Sequence, residues 1–303
     1  MSSGLLLIDK PSGWTSHDVV AKLRGALGTR RVGHAGTLDP MATGLLLIGV
    51  NSATKLLTFL VGEDKTYLAT IRLGASTITD DKESEYLSVS EPEKVSAVTD
   101  AEIEKAIASL RGDIQQVPSS VSAIKVNGER AYAKVRAGDE VKLSARPVTI
   151  SKFQILGKPE RIQEAGRQFI DIEVEVDCSS GTYIRALARD LGTALGVGGH
   201  LVALQRTRIG KYKLDQAQPM ELPEQENFNV LDISAAAAQQ FSVRVLSDQE
   251  VIDLQHGKRL IAAEGDSAVF AGVDSTGKLV AMLTAIKNEV KSLVVFAEGK
   301  NND

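Results

Sequence analysis

The sequence predicts an α/β fold followed by a smaller β-rich domain, and three observations carry that expectation. The chain has 303 residues, which at roughly 100–200 residues per domain accommodates two domains. Up to about residue 215, short apolar runs bounded by turn residues alternate with segments of helical periodicity. After Leu222 the polar run Pro223, Glu224, Gln225, Glu226 and Asn227 reads as a linker, and strand-like runs resume from about residue 240. The expected division is therefore a domain over 1–225 and a second over 240–303. With 43% hydrophobic and 24% charged residues the chain is excluded from the disordered and fibrous classes.

In chain order, Gly4–Ile8 (GLLLI) ends at a turn cluster and reads as a buried strand. A helix follows, with Ser16 as its N-cap, Val19, Val20, Leu23 and Leu27 on one face, and Gly28 as its stop. The glycine-punctuated loop Gly33–Pro40 leads to Leu45–Val50, long enough only for a buried strand, and Tyr67–Leu73 is another strand. Residues 79–104 are polar and acidic, which predicts an exposed excursion within an acidic insertion over 79–115. Asp100 is expected to cap a helix that buries Ile103, Ile107 and Leu110. Phe169–Val176 (FIDIEVEV) is the cleanest period-two strand, and Tyr183–Leu195 returns to helical spacing until Gly196. In the tail, Ala268–Val273 and Leu279–Ala285 read as strands.

Absences narrow the chemistry. The chain has neither a GxxxxGK[ST] loop nor a GxGxxG turn, which removes the common nucleotide cofactors, and it lacks a GxSxG elbow. The single cysteine, Cys178, allows no internal disulfide and has no zinc-ligand spacing around it; it reads as a small buried hydrophobe in a cytosolic protein. No metal is expected. No apolar run reaches the roughly 18 residues of a membrane span, and Met1–Lys10 lacks a basic leader, so neither membrane attachment nor a signal peptide is expected. Each of the four histidines, taken by itself, reads as a surface or packing residue.

Two clusters remain. Asp39 precedes Pro40, which drives it toward extended geometry, and it follows Gly33 and Gly36; the carboxylate either faces a pocket or closes an Asx-turn. Tyr183 and Arg185 lie where the alternating strand gives way to a helix. Arg185 is either a surface helix arginine or a partner that keeps a carboxylate ionised.

Charge is segregated. The chain holds 35 Lys+Arg and 39 Asp+Glu for a net charge of −4, a balance that alone argues against a nucleic-acid partner. Residues 1–60 nevertheless carry 6 basic and 3 acidic side chains, 116–150 again 6 and 3, and 151–215 carry 10 and 8, whereas 61–115 carry 6 and 12 and 216–303 carry 7 and 13. Lys125, Arg130, Lys134, Arg136, Lys142 and Arg146 are interleaved with Tyr132, and Arg206, Arg208, Lys211 and Lys213 surround Tyr212. Basic residues mixed with aromatics suit a phosphate backbone with unstacked bases, or form a solvated face.

DKPSGWTS (9–16), GHAGTLDPMATGLLLIG (33–49), KTYLATIRLG (65–74), SAIKVNGERAY (122–132), CSSGTYIRALARDLG (178–192) and GHLVALQRTRIG (199–210) resemble, in order, the blocks of the TruB family of bacterial tRNA pseudouridine synthases. The resemblance covers residues 5 to about 215, and the tail is similar to the small PUA-like RNA-binding domain of actinobacterial members. It implies a pseudouridine-synthase fold with a mixed, largely antiparallel central sheet, and a cofactor-free isomerisation of uridine 55 in the tRNA T-loop. Base flipping is required, because the target lies inside a folded loop.

By the same resemblance Asp39 is the catalytic aspartate, which acts by covalent attack or by taking a proton from C2′. Tyr67 stacks on the base and relays the C5 proton, and Arg185 pairs with the aspartate. Tyr183 and Leu204 line the pocket, His34 fills the gap left by the flipped base, and Lys10, Pro11, Gly13 and Gly33 belong to its rim. The chain departs from the family pattern at Pro118-Ser119-Ser120-Val121, where paired prolines and an aromatic are usual, and at Gln205, where an arginine is common. The resemblance implies tRNA as partner, a cytoplasmic location and a monomer. Two alternatives are a chaperone that folds tRNA through the T-loop and, with less support, a subunit of a guide-RNA complex.

Overall fold

A computed structural model describes residues 3–119, 125–126, 129–130, 143–220 and 228–296, with 125–126 and 129–130 described by backbone alone. The basic stretch with Tyr132, Lys134, Arg136 and Lys142, the departures at Ser120 and Val121, and the linker from Pro223 to Asn227 lie outside the described residues. The chain forms two compact units, one of residues 1–39, 45–61 and 210–303 and the other of 40–44 and 62–209.

The first unit begins with β1 (Gly4–Lys10), α1 (Ser16–Ala26), β2 (Val32–Ala35) and β3 (Thr43–Val50), whose first two residues belong to the second unit. Leu6, Ile8, Val19, Val20, Leu23, Leu27, Leu46 and Ile48 form its core, which accounts for the apolar runs and for the spacing on α1. The cap is Thr15 rather than Ser16: Thr15 accepts from Asp18 N–H, and the Asp18 carboxylate accepts from Thr15 N–H, a reciprocal box that a threonine and an acid three residues apart can build. Ser16 is thereby released to turn inward, where it is buried. α2 (Leu57–Leu60) closes this stretch.

The second unit carries β4 (Lys65–Leu73), the hairpin β5 (Ala75–Thr77) and β6 (Tyr86–Val89), α3 (Pro92–Ala97), α4 (Asp100–Ser109) and β7 (Gly112–Gln116). The two-residue strands β8 (Lys125–Val126) and β9 (Glu129–Arg130) precede β10 (Arg146–Ile155), β11 (Glu160–Glu164), β12 (Arg167–Cys178), α5 (Ile184–Ala194) and β13 (Gly199–Ile209). Its sheet is mixed and largely antiparallel. β13 pairs antiparallel with β4, β4 with β12, β12 with β10, and β10 with β7, while β13 runs parallel to Thr43 and Gly44 at the start of β3. Gly44 has φ +98°, and a Cβ there would lie 2.4 Å from the Arg206 carbonyl oxygen, so only glycine lets these strands meet.

On β12, Phe169, Ile170, Ile172, Val174 and Val176 are buried while Asp171, Glu173 and Glu175 are not, as the alternation requires. The cap of α4 is Thr99, boxed with Glu102, rather than Asp100, which is the first helical residue. The exposed excursion expected over 79–104 also needs correction: Asp80 and Asp81 are buried, as are Val95, Val98 and Ile103. Composition could not reveal this, because Arg185 and Arg189 on α5 neutralise the two aspartates.

The remaining part of the first unit contains α6 (Ile233–Gln240), α7 (Asp248–Gln255) and a five-stranded sheet in the order 242–245, 270–273, 279–286, 289–295 and 260–261. Leu246, Leu254, Phe270, Ala281, Leu283 and Val290 fill a core of its own. Among the described residues no helix is long and apolar enough to cross a membrane.

Candidate functional site

The candidate residues are distributed over both units. In the first, Asp39 is half-buried in the loop after β2, where Gly36 makes the turn at φ +84°. Gly33 lies within β2 at a conformation open to other residues, with the Leu57 and Thr54 side chains in ordinary contact range. The residue before Asp39 is pinned from inside. The Ser16 hydroxyl accepts from Leu38 N–H at 2.9 Å and donates to the Leu38 carbonyl at 3.2 Å, with both residues buried. A side chain on the first turn of α1 therefore fixes both backbone groups next to the carboxylate.

His34 lies on β2 opposite Ile48, and its ring meets His17 edge-on at 5.6 Å. Lys10 is fully buried, and its ammonium donates to the Pro11 carbonyl at 2.8 Å and to that of Trp14 at 2.7 Å. These bonds shape the Pro11–Trp14 loop from within, with Gly13 turning it at φ +83°. Pro11 is half-buried and Gly13 exposed.

In the second unit, Tyr67 is buried on β4 opposite Arg206, and Leu204 stands opposite Ala69, so Tyr67, Leu204 and Arg206 share one face of the sheet. Arg206 is fully buried, which removes it from the tract expected to meet phosphate. Its neighbour Arg208 donates to Thr66 Oγ1 at 2.8 Å and lies 3.6 Å from Asp177. Lys65 is also buried; it donates to the Glu63 carbonyl, and burial pushes its ammonium down to about 8. The Cys178 thiol is pushed up to about 11 by burial, which keeps it inert.

Arg185 is the second residue of α5 and is buried rather than displayed on the surface. Its Nη1 donates to the Thr79 carbonyl at 2.9 Å and to Asp81 Oδ2 at 3.2 Å. Asp81 Oδ1 accepts in turn from Thr79 Oγ1 at 2.5 Å and from Glu83 N–H at 3.0 Å. One turn along α5, Arg189 meets Asp80 at 3.2 Å; burial nevertheless pushes the Asp80 carboxyl up, and Asp80 adopts φ +60°. Tyr183 is the extended N-cap of α5, half-buried, with its N–H and C=O both held by the Gln116 carboxamide.

Ser16, Asp81 and Gln116 are the residues that the sequence reading missed in these roles. Asp81 sits in a run of acids with nothing local to distinguish it, and Ser16 is adjacent to the true cap. A cleft of about 360 Å³ in the second unit is lined by Met41, Thr43, Leu68, Thr70, Lys82 and Leu204. A larger one of about 610 Å³, between α3, α4 and the end of α5, contains none of the candidate residues. Among the described residues no three His, Cys, Asp or Glu side chains gather as a metal site would require.

The sequence matches three family descriptions in succession. TruB family pseudouridylate synthase (N terminal domain) spans residues 24–184, tRNA pseudouridylate synthase B C-terminal domain spans 185–231, and tRNA Pseudouridine synthase II, C terminal, spans 241–297. It is 54% identical over 310 residues to tRNA pseudouridine synthase B of Paenarthrobacter aurescens, covering 99% of this chain and 96% of the relative. It is 50% identical over 294 residues to the protein of that name from Mycobacteroides abscessus, covering 97% and 96%. The fold is similar to a chain in the structure of an H/ACA ribonucleoprotein bound to a substrate RNA containing 2′-deoxyuridine, with a TM-score of 0.69, 23% identity, and coverage of 97% of this chain and 85% of that one.

Proposed function

The chain belongs to the TruB family of pseudouridylate synthases, and on that premise we propose that it isomerises uridine 55 in the T-loop of tRNA to pseudouridine. The observation that carries this reading is identity of 54% along 99% of the chain to a tRNA pseudouridine synthase B, with Asp39 inside the GHAGTLDPMATG block. The reaction is a rearrangement. The N1–C1′ bond breaks, the base turns, C5 joins C1′, and the proton leaving C5 balances the one gained at N1, so no redox cofactor or co-substrate is needed.

Asp39 serves as the carboxylate at the reacting sugar, either as nucleophile or as base toward C2′. Tyr67 offers an aromatic face to the base and a hydroxyl for the proton at C5. Arg185 contributes the positive charge that keeps a carboxylate ionised. Tyr183 and Leu204 line the base pocket, and His34 occupies the space the base vacates, offsetting an unstacking cost of a few kcal/mol. Lys10 shapes the rim to which Pro11, Gly13 and Gly33 contribute. Residues 1–225 form the catalytic domain and 240–303 a PUA-like RNA-binding domain, a division supported by the family matches ending at 231 and starting at 241. The enzyme acts as a cytoplasmic monomer without metal.

The test is incubation with an unmodified tRNA transcript followed by mapping of pseudouridine by position, with Asp39→Asn in parallel. Modification at the T-loop uridine by wild type only, with tRNA affinity retained in the variant, is the expected result. Absence of modification there, or turnover by the variant, overturns the reading.

A further inference from the structure

Gln116 ends β7 with its side chain buried, and its carboxamide spends both ends on one residue of another element. Oε1 accepts from Tyr183 N–H at 2.9 Å, and Nε2 donates to the Tyr183 carbonyl at 3.1 Å. Tyr183 is the N-cap of α5, with φ −104° and ψ 108°, and has no side-chain cap bond of its own. The Tyr183 carbonyl also accepts the first bond of α5, from Leu187 N–H at 3.2 Å, so a group that grips Tyr183 at both its N–H and its carbonyl bears on where the first turn points. Here that turn carries Arg185.

Two of the three residues after Gln116 reinforce the arrangement. Val117 offers its carbonyl to Arg189 Nη2 at 2.7 Å, one turn further along α5. The Ser119 hydroxyl donates at 3.1 Å to the Thr79 carbonyl, the same oxygen that receives Arg185 Nη1 at 2.9 Å. Residues 116–119 thus hold both the backbone from which Arg185 departs and the acceptor on which it lands. Among these contacts only the Gln116 carboxamide grips Tyr183, two residues before the guanidinium.

We infer that Gln116 is a positioning residue for isomerisation: its two-ended clamp on the Tyr183 backbone sets the direction in which Tyr183 and Arg185 enter the site. The inference rests on the proposed roles of those two residues. Displacements of about 1 Å in a reacting constellation cost on the order of 100-fold in rate. Rate should therefore fall while affinity for tRNA, which is spread over many contacts, does not.

The experiment uses the full chain and an unmodified tRNA transcript, measuring single-turnover rate, tRNA Kd and thermal melting for Gln116→Ala, Gln116→Glu and, as reference, Arg185→Lys. Gln116→Glu keeps the length and the acceptor for Tyr183 N–H but, ionised, has no donor for its carbonyl, so it decides the matter if Gln116→Ala does not fold. The expected result is a rate loss of about 10- to 100-fold for Gln116→Ala and a smaller loss for Gln116→Glu, with Kd within about twofold of wild type. Rates within twofold of wild type for both, while Arg185→Lys is inactive, overturn the inference and leave the proposed roles standing. An equal loss in Kd and rate also overturns it. Full activity of Arg185→Lys instead refutes the role of Arg185 on which the inference was built.

Discussion

Asp81 Oδ2 lies 3.2 Å from Arg185 Nη1, with the aspartate side chain 3% exposed and the arginine side chain 7% exposed. A carboxylate from a loop within the acidic segment is thus one counter-charge of the arginine that the family resemblance marks out. Thr79 Oγ1 and Glu83 N–H fix the other oxygen, so the aspartate has little freedom to follow the guanidinium if it moves. Removing one partner of a buried pair costs about 3–5 kcal/mol. Asp81→Ala should therefore destabilise the fold strongly.

Asp81→Asn keeps the volume but still removes the charge, so it isolates the electrostatic consequence. We expect it to lose less stability than Asp81→Ala and to isomerise about 10- to 100-fold more slowly, since Arg185 loses an anion that orients it. Single-turnover kinetics on unmodified tRNA would measure this. A near-normal rate would mean that the Asp81 pairing serves folding alone.

Ser16 makes the equivalent case in the first unit. Its hydroxyl is the described partner of both Leu38 N–H and Leu38 C=O, and alanine there would leave two buried backbone groups unmet. Each unmet group costs about 1–3 kcal/mol, which denaturant titration can resolve. The rate should fall about tenfold with tRNA affinity unchanged, because Leu38 precedes Asp39 directly. A stability loss with a normal rate would show that the loop holds Asp39 by other means.

These pairs also show what the sequence could and could not convey. The β12 alternation, the apolar face of α1 and the Gly28 stop were legible because each depends on neighbours in the chain. The site blocks around Asp39, Tyr67 and Arg185 were legible by resemblance alone. Ser16 reads as a cap because its hydroxyl could accept from the first free N–H groups, but its neighbour Thr15 completes the box with Asp18, and a shift of one residue exchanges a surface role for a buried one. Asp81 was read as solvated because its partner lies 104 positions away on α5. Arg206 reads as phosphate-facing or solvated for the same reason: its burial is set by β3 and β4, which local composition does not report.

Lys65 gives a pH signature. Burial lowers its ammonium from the ordinary 10.5 to about 8, so between those values the unfolded chain binds more protons than the folded one. Stability should therefore rise as pH climbs from about 8 toward 10.5. Below about 8 the group carries its full penalty, on the order of 3 kcal/mol. Lys65→Met removes the group, so its stability advantage over wild type should be largest at neutral pH and shrink by pH 10. Urea titrations of both proteins across that range check it. A gap that stays constant with pH would mean the penalty lies elsewhere.

Net charge of −4 and an RNA substrate are reconciled only if the positive tracts, not the sum, govern binding. With Arg206 buried and Arg208 engaged by Thr66 and Asp177, the exposed cations in the 206–213 stretch are Lys211 and Lys213, on either side of buried Tyr212. The Tyr212 hydroxyl donates to the Ala236 carbonyl at 2.6 Å, which anchors the residue between them. Each phosphate neutralised contributes about 0.7–0.9 to the slope of log K against log salt. Replacing both lysines by glutamine should weaken tRNA binding at low salt and reduce that slope by about 1–2, with the isomerisation rate of bound tRNA unchanged. Arg206→Gln should instead destabilise the fold and leave the slope as it was. Filter binding across a salt series distinguishes the two, and an unaltered slope in the double lysine variant would place the phosphate contacts on another tract.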